Sequence, residues 1–233
     1  MKLGIIGAME QEVETLLGLL ENVHSVQKAG STYYAGTLDG LDVVVVQCGI
    51  GKVNAALCVQ VLCDLFGVTH VVNTGIAGSL RPELDIGDLV ISSDAMYHDV
   101  DCVHFGYTMG QMPGMPVSFA ADEMLVLLAY SAAETVNPGH TFIGRVASGD
   151  QFVAEKALKN KIVTVTQALC TEMEGTAIAQ AATRNGIPFV IIRAISDKAD
   201  DSAEMDYPTF EKLAAHRCAA VTRDFARRLR GNQ

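Results

Sequence analysis

The chain has 233 residues, 49% hydrophobic and 19% charged, with no tryptophan and 6% aromatics. That suits one globular domain built on an aliphatic core of Val, Ile, Leu and Ala. A formal charge of −10 denies it the basic footprint that supplies most of a nucleic-acid binder's affinity.

In chain order, residues 3–8 predict a short buried strand and 9–20 a helix. Residues 33–38 and 41–48 predict two strands joined by Asp39-Gly40, a dipeptide that favours a tight hairpin turn. Gly49-Ile50-Gly51 then breaks the chain before an apolar helix over 52–66. A strand over 70–73 runs into Gly75 and Gly78, and another covers 88–97. Residues 99–119 hold Gly106, Gly110, Pro113, Gly114 and Pro116, which predicts a long loop, and such loops are usually functional. A helix over 122–134, a strand over 141–148 and a short helix over 155–160 follow. Residues 176–185 predict a helix closed by Gly186. Residues 188–194 predict a strand buried on both faces, and 207–229 the final helix. Strands alternating with helices indicate one α/β domain over residues 1–233, with a central mixed, twisted sheet flanked by helices. Ligands of open α/β sheets bind beyond the carboxyl ends of the strands, which directs attention to the polar residues there.

The six cysteines form no C-x-x-C pair, several lie in apolar stretches, and a reduced, cytoplasmic chain is the simpler account. No run approaches the ~18 apolar residues of a membrane span. Glu10, Glu12 and Glu14 argue against a signal peptide. Arg223, Arg227, Arg228 and Arg230 read as a solvated helix end that favours the helix dipole.

Several motifs fail. Gly49-Ile50-Gly51 starts like a dinucleotide fingerprint, but Asn54 stands where the third glycine belongs. Val53 after Gly51-Lys52 rules out a phosphate-binding P-loop. His98, Asp99, Asp101 and His104 lack a second group of ligands and read as a polar loop rather than a metal site. There is no G-x-S-x-G elbow.

Three acids stand out where strands hand over to helices: Glu12, Glu174 and Asp197. Taken singly, Glu12 and Glu174 could be first-turn helix acids and Asp197 a helix N-cap. Together they suit glycosidic cleavage through an oxocarbenium-like transition state, in which one carboxylate handles water and another acid protonates the leaving group.

Over essentially its whole length the sequence resembles the bacterial 5′-methylthioadenosine/S-adenosylhomocysteine nucleosidases of the nucleoside phosphorylase superfamily. The resemblance rests on ordered blocks. They are Gly4-Ile5-Ile6-Gly7-Ala8-Met9-Glu10 with Glu12, Gly49-Ile50-Gly51-Lys52-Val53-Asn54-Ala55-Ala56, and Asn73-Thr74-Gly75 with Ala77-Gly78. Tyr97-His98-Asp99 leads on to Phe105-Gly106-Tyr107 and to Gly110-Gln111 with Pro113-Gly114. Ser148-Gly149-Asp150, Glu172-Met173-Glu174 and Arg193-Ala194-Ile195-Ser196-Asp197 complete the set.

The resemblance implies that Glu12 positions and activates water, with Arg193 helping to orient it. It implies that Asp197, supported by Ser196, protonates adenine N7. Phe152 would stack on the base, and main-chain groups of Phe152 and Val153 would bond its edge. Ala77 and Gly78 would line the base pocket. Glu174 would hold the ribose hydroxyls over Met173. Met9, Ile50 and Tyr207 would receive the 5′-alkylthio group, and Phe105 and Pro113 would close that pocket from the partner subunit of a homodimer. No cofactor, metal, nucleic acid or membrane is implied. Ile76, Tyr207 and Cys102 depart from common family residues and leave the substrate ratio open, with 5′-deoxyadenosine among the candidates. Three other readings compete: a phosphorolytic relative, a futalosine or 5′-deoxyadenosine hydrolase, and a non-catalytic nucleoside-binding protein. Phosphate would need an arginine clamp and would meet the anionic Glu12.

Overall fold

A computed structural model describes residues 1–200 and 203–232. Strand β1 (Lys2–Gly7) leads into helix α1 (Glu10–Leu17), and β2 (Glu21–Lys28), β3 (Ser31–Leu38) and β4 (Leu41–Gln47) form a meander. Helix α2 (Lys52–Phe66), β5 (His70–Ser79), β6 (Leu89–Tyr97) and the two-residue β7 (Phe119–Ala120) follow. The second half contains α3 (Glu123–Val136), β8 (Thr141–Ser148), α4 (Lys156–Thr166), β9 (Cys170–Glu172), α5 (Gly175–Arg184), β10 (Phe189–Asp197) and α6 (Ala203–Gly231).

The sheet is mixed. Strand β1 lies parallel to both β4 and β5, β5 parallel to β10, and β6 parallel to β8, while β2, β3 and β4 pair antiparallel. It also curls. Strand β10 pairs with β5 on one side and β6 on the other, and β6, β8 and β9 lead back to β5. The sheet is therefore closed at one end, and β1, β4, β3 and β2 extend it from β5. Because alternate residues face opposite sides of a strand, Leu3, Ile5, Val43 and Val45 pack toward α1 and α6. Ile6, Val44 and Val46 pack toward α2 and α5.

The Asp39-Gly40 turn is as expected: φ is 47° and 82°, the left-handed pair that a tight hairpin with this twist requires. Several expectations need correction. The predicted first helix, 9–20, ends at Leu17, because β2 begins at Glu21. The strand predicted over 70–73 runs on to Ser79 through both glycines. A Cβ at Gly75 would lie 2.5 Å from Glu12 Oε1 and collide with Arg193, and one at Gly78 would lie 2.7 Å from Asp197 Oδ1. These glycines make room for side chains rather than ending the strand. The short helix expected over 155–160 extends to Thr166, and the final helix starts at Ala203, with Pro208 inside it. The long loop over 99–119 contains a 3₁₀ turn at Val103–Phe105. The arginine cluster is not merely solvated. Arg223 and Arg227 both bind Asp39, at 2.7 and 2.8 Å, and fasten the end of α6 to the β3–β4 turn.

Candidate active site

A cavity of about 450 Å³ opens at the carboxyl ends of β1, β5 and β10. It brings together Met9, Glu12, Ile50, Ala77, Gly78, Phe152, Val153, Met173, Glu174, Ser196, Asp197 and Tyr207. Ala8, Ile76, Gln151, Thr171 and Glu172 complete the lining.

Glu12 is the third residue of α1, and its carboxylate folds back over the helix N-terminus. Oε2 accepts from Ala8 N at 2.7 Å and Met9 N at 3.0 Å, and Oε1 accepts from Ile76 N at 3.1 Å. Burial pushes its carboxyl above the usual range, while Arg193 and these main-chain donors pull it back. A carboxylate so held can take a proton from water near neutral pH.

Asp197 ends β10, and it does not cap a helix. Its Oδ2 accepts from Ser196 Oγ at 2.8 Å and its Oδ1 from Ala199 N at 2.8 Å. Burial raises this carboxyl too, against the pull of those two donors. Burial that favours the protonated form is what leaving-group protonation needs.

Glu174 precedes α5 and accepts from Gly51 N at 2.8 Å, with Arg193 3.9 Å away. Burial first, then Glu172, raises its carboxyl. Phe152 and Tyr207 meet edge to face at 5.5 Å, and Tyr207 Oη donates to Met9 Sδ at 3.2 Å. These side chains make one wall of the cavity apolar.

Arg193 is not part of the lining. It lies beneath the floor, where it donates to Asn73 and to Glu172. Burial opposes its charge, and Glu172, Glu12 and Glu174 together outweigh that. Phe105 and Pro113 stand apart from this cavity, exposed on the 99–119 loop.

Sequence reasoning missed Glu172. It accepts from Arg193, from Glu174 N at 3.2 Å, from Gly175 N at 2.8 Å and from Ser148 Oγ. Ser148 Oγ in turn accepts from Thr176 N and Oγ1. The available signal was Arg193 itself, a lone charge inside an apolar strand, which requires a buried partner.

The model of the phosphorylase superfamily matches residues 2–227. The 5′-methylthioadenosine/S-adenosylhomocysteine nucleosidase of Halalkalibacterium halodurans is 44% identical over 216 residues, which cover 92% of this chain and 93% of that one. The same enzyme of Chromohalobacter salexigens is 42% identical over 98% of this chain and 97% of its own. The crystal structure of the Neisseria meningitidis nucleosidase in complex with methylthio-immucillin-A superposes with a TM-score of 0.95 at 39% identity, covering 97% of this chain and 99% of that one. The Colwellia psychrerythraea nucleosidase in complex with adenine gives 0.95 at 40% identity, covering 98% and 96%. With fold, sequence and site blocks in agreement along nearly the full length, the chain belongs to the phosphorylase superfamily, in its 5′-methylthioadenosine/S-adenosylhomocysteine nucleosidase family.

Proposed function

We propose that this chain uses water to cleave the N-glycosidic bond of 5′-methylthioadenosine and S-adenosylhomocysteine, releasing adenine and the 5-thio-substituted ribose. The observation that carries the choice of water is the charge of the cavity. Besides the acid Asp197, its lining includes the carboxyl groups of Glu12, Glu172 and Glu174 and, among the described residues, neither lysine nor arginine. Phosphate would enter such a site against like charge. The nearest cation, Arg193, is already committed to Glu172 and Asn73 below the floor.

In this reading Asp197 gives its proton to adenine N7 while the bond between C1′ and N9 breaks and its electron pair leaves with the base. Positive charge develops on the ribose ring. Water adds to C1′, and Glu12 takes the proton that water loses. Arg193 lies close enough to Glu12 to help set its orientation. Glu174 holds the ribose hydroxyls with Met173 beneath the sugar. Phe152 stacks on adenine, whose edge meets main-chain groups of Phe152 and Val153, with Ala77 and Gly78 on the base side. Met9, Ile50 and Tyr207 receive the 5′-thioether. No cofactor enters any step.

We also infer a two-fold homodimer. Phe105 is 77% and Val53 71% exposed, and a second cavity of about 430 Å³ lined by Val53, Leu57, Tyr97 and Met112 joins α2 to the long loop. An apolar surface of this kind usually marks a partner. In that assembly Phe105 and Pro113 would reach the neighbouring subunit's 5′ pocket. All six cysteines are free thiols, which favours a reducing compartment such as the cytoplasm. No helix among the described residues is long and apolar enough to cross a membrane.

A substrate panel tests the reading. Both thioethers should release adenine with higher kcat/KM than adenosine, because the apolar 5′ wall gains by burying a thioether and loses by burying a hydroxyl. If neither thioether released adenine, the reading would be wrong.

A further inference from the structure

At the head of α2, two consecutive main-chain N–H groups each capture a carboxylate from a different segment. Gly51 N donates to Glu174 Oε1 at 2.8 Å, and Lys52 N donates to Asp150 Oδ1 at 2.8 Å. Both bonds exploit the positive end of the helix dipole. Gly51 has φ of 98°, and a Cβ on it would stand 3.1 Å from Asp150 Oδ1, so glycine permits the approach.

The lysine side chain closes the arrangement. Lys52 Nζ donates to Asp99 Oδ2 at 2.6 Å and lies 3.8 Å from Asp150 Oδ2. Asp150 N donates to the same Asp99 oxygen at 2.9 Å. Lys52 Nζ also sits over the Tyr97 ring, 5.3 Å from its centre, and Tyr97 Oη donates to Gln180 of α5 at 2.7 Å. One ammonium and two carboxylates thus join three segments: the turn before α2, the start of the long loop, and the stretch after β8. An isolated surface pair would contribute little. This one is part of a network with main-chain donors, and its lysine and Asp99 are largely shielded from solvent.

The segments it joins are the rims of the cavity. Ile50 lies two residues before Lys52 on one rim, and Gln151, Phe152 and Val153 follow Asp150 on the other. Ile50 and Phe152 are each about half exposed, at 53% and 51%, and neither belongs to a core cluster. We propose that Lys52, Asp99 and Asp150 are positioning residues that form a latch, holding the Ile50 rim and the Gln151–Val153 rim at the separation that grips the nucleoside. The proposal rests on the reading of this cavity as the nucleoside site. None of the three residues touches the reacting atoms. The latch lowers the cost of ordering both rims on binding and leaves the chemical step alone.

The test compares the full-length Lys52→Met, Lys52→Arg, Asp150→Ala and Lys52→Met/Asp150→Ala proteins with wild type. It measures kcat and KM for methylthioadenosine and amide hydrogen exchange without ligand. The latch predicts that Lys52→Met and Asp150→Ala each raise KM about tenfold, the equivalent of one lost charge-assisted contact, with kcat changed less than about threefold. The double variant should be little worse than the weaker-binding single one, because both break one device. Lys52→Arg should recover most of the affinity. Exchange should quicken at 149–153 and at the head of α2 and stay unchanged in α6. A KM within about twofold of wild type in both single variants would overturn the proposal. So would effects that multiply in the double variant, or exchange that quickens equally in α6. If Lys52→Met fails to fold, Asp150→Ala and Lys52→Arg decide the matter. Exchange needs no substrate, so it judges the latch even if wild type releases no adenine, a result that would instead count against the proposed function.

Discussion

From beneath the floor of the cavity Arg193 donates to Glu172, and both side chains are shut away from solvent. Each makes the other's burial tolerable, and removing one partner of such a pair is far costlier than never having had it. Glu172→Gln keeps the shape and one acceptor oxygen but leaves the guanidinium short of a counter-charge. It should destabilise the fold by about 3 kcal/mol, the low end for a broken buried pair. In a chain of this size that is about 6–12 °C in Tm. Calorimetry checks it, and a melting point within about 2 °C of wild type would show that the pair is energetically idle.

In the proposed mechanism Asp197 couples catalysis to pH-dependent stability. Burial holds its carboxyl above the ordinary value, so the folded state keeps a proton that the unfolded chain loses near pH 4. The group's contribution to stability is therefore fully present below about pH 4 and is lost as pH rises through the raised value. Asp197→Asn removes that loss. Its Tm should gain on wild type as pH climbs above about 4 and then level off, while kcat at neutral pH falls at least about 10²-fold. A Tm difference independent of pH, or near-wild-type turnover, would remove Asp197 from its role as the acid.

Gly78 and Gly75 test the geometry from behind. Alanine at Gly78 would put a Cβ 2.7 Å from Asp197 Oδ1 and 2.8 Å from the Ala199 Cβ. A displacement of about 1 Å at a reacting group can cost 10²-fold, so Gly78→Ala should lower kcat by at least about tenfold while the protein stays folded. Gly75→Ala strikes Glu12 and Arg193 together and should damage both activity and stability. Kinetics and circular dichroism separate the two cases. Full activity in Gly78→Ala would mean that Asp197 is not required at its observed position.

Assembly should be visible in activity. The homodimer reading predicts that sedimentation gives twice the 24.8 kDa chain mass and that Phe105→Ala raises KM for methylthioadenosine more than it raises the inhibition constant of the product adenine. A fully active monomer at assay concentration would contradict it.

Features carried by neighbouring residues were legible in the sequence. The Asp39-Gly40 turn, α2 over 52–66 and β8 over 141–148 each declare themselves through turn chemistry or an unbroken apolar pattern. Strand β2 did not, because it is exposed on nearly every residue and has no alternation to read. Strand β9 is only three residues long and exists through its neighbours β5 and β8. Gly75 and Gly78 resembled breakers because the side chains they make room for arrive from α1 and β10. Glu12, Glu174 and Asp197, which share one cavity, were singled out through strand-to-helix positions and family blocks. Glu172 escaped because its importance lies in convergence: Arg193, Ser148 and the head of α5 meet on one carboxylate.

In the proposed reaction water, not phosphate, takes the place of adenine on the ribose. Running the reaction in H₂¹⁸O with saturating phosphate and analysing the sugar by mass spectrometry distinguishes the two nucleophiles. Hydrolysis gives free methylthioribose labelled with ¹⁸O at C1, formed at a rate that phosphate does not alter. An unlabelled sugar 1-phosphate as the first product would contradict it.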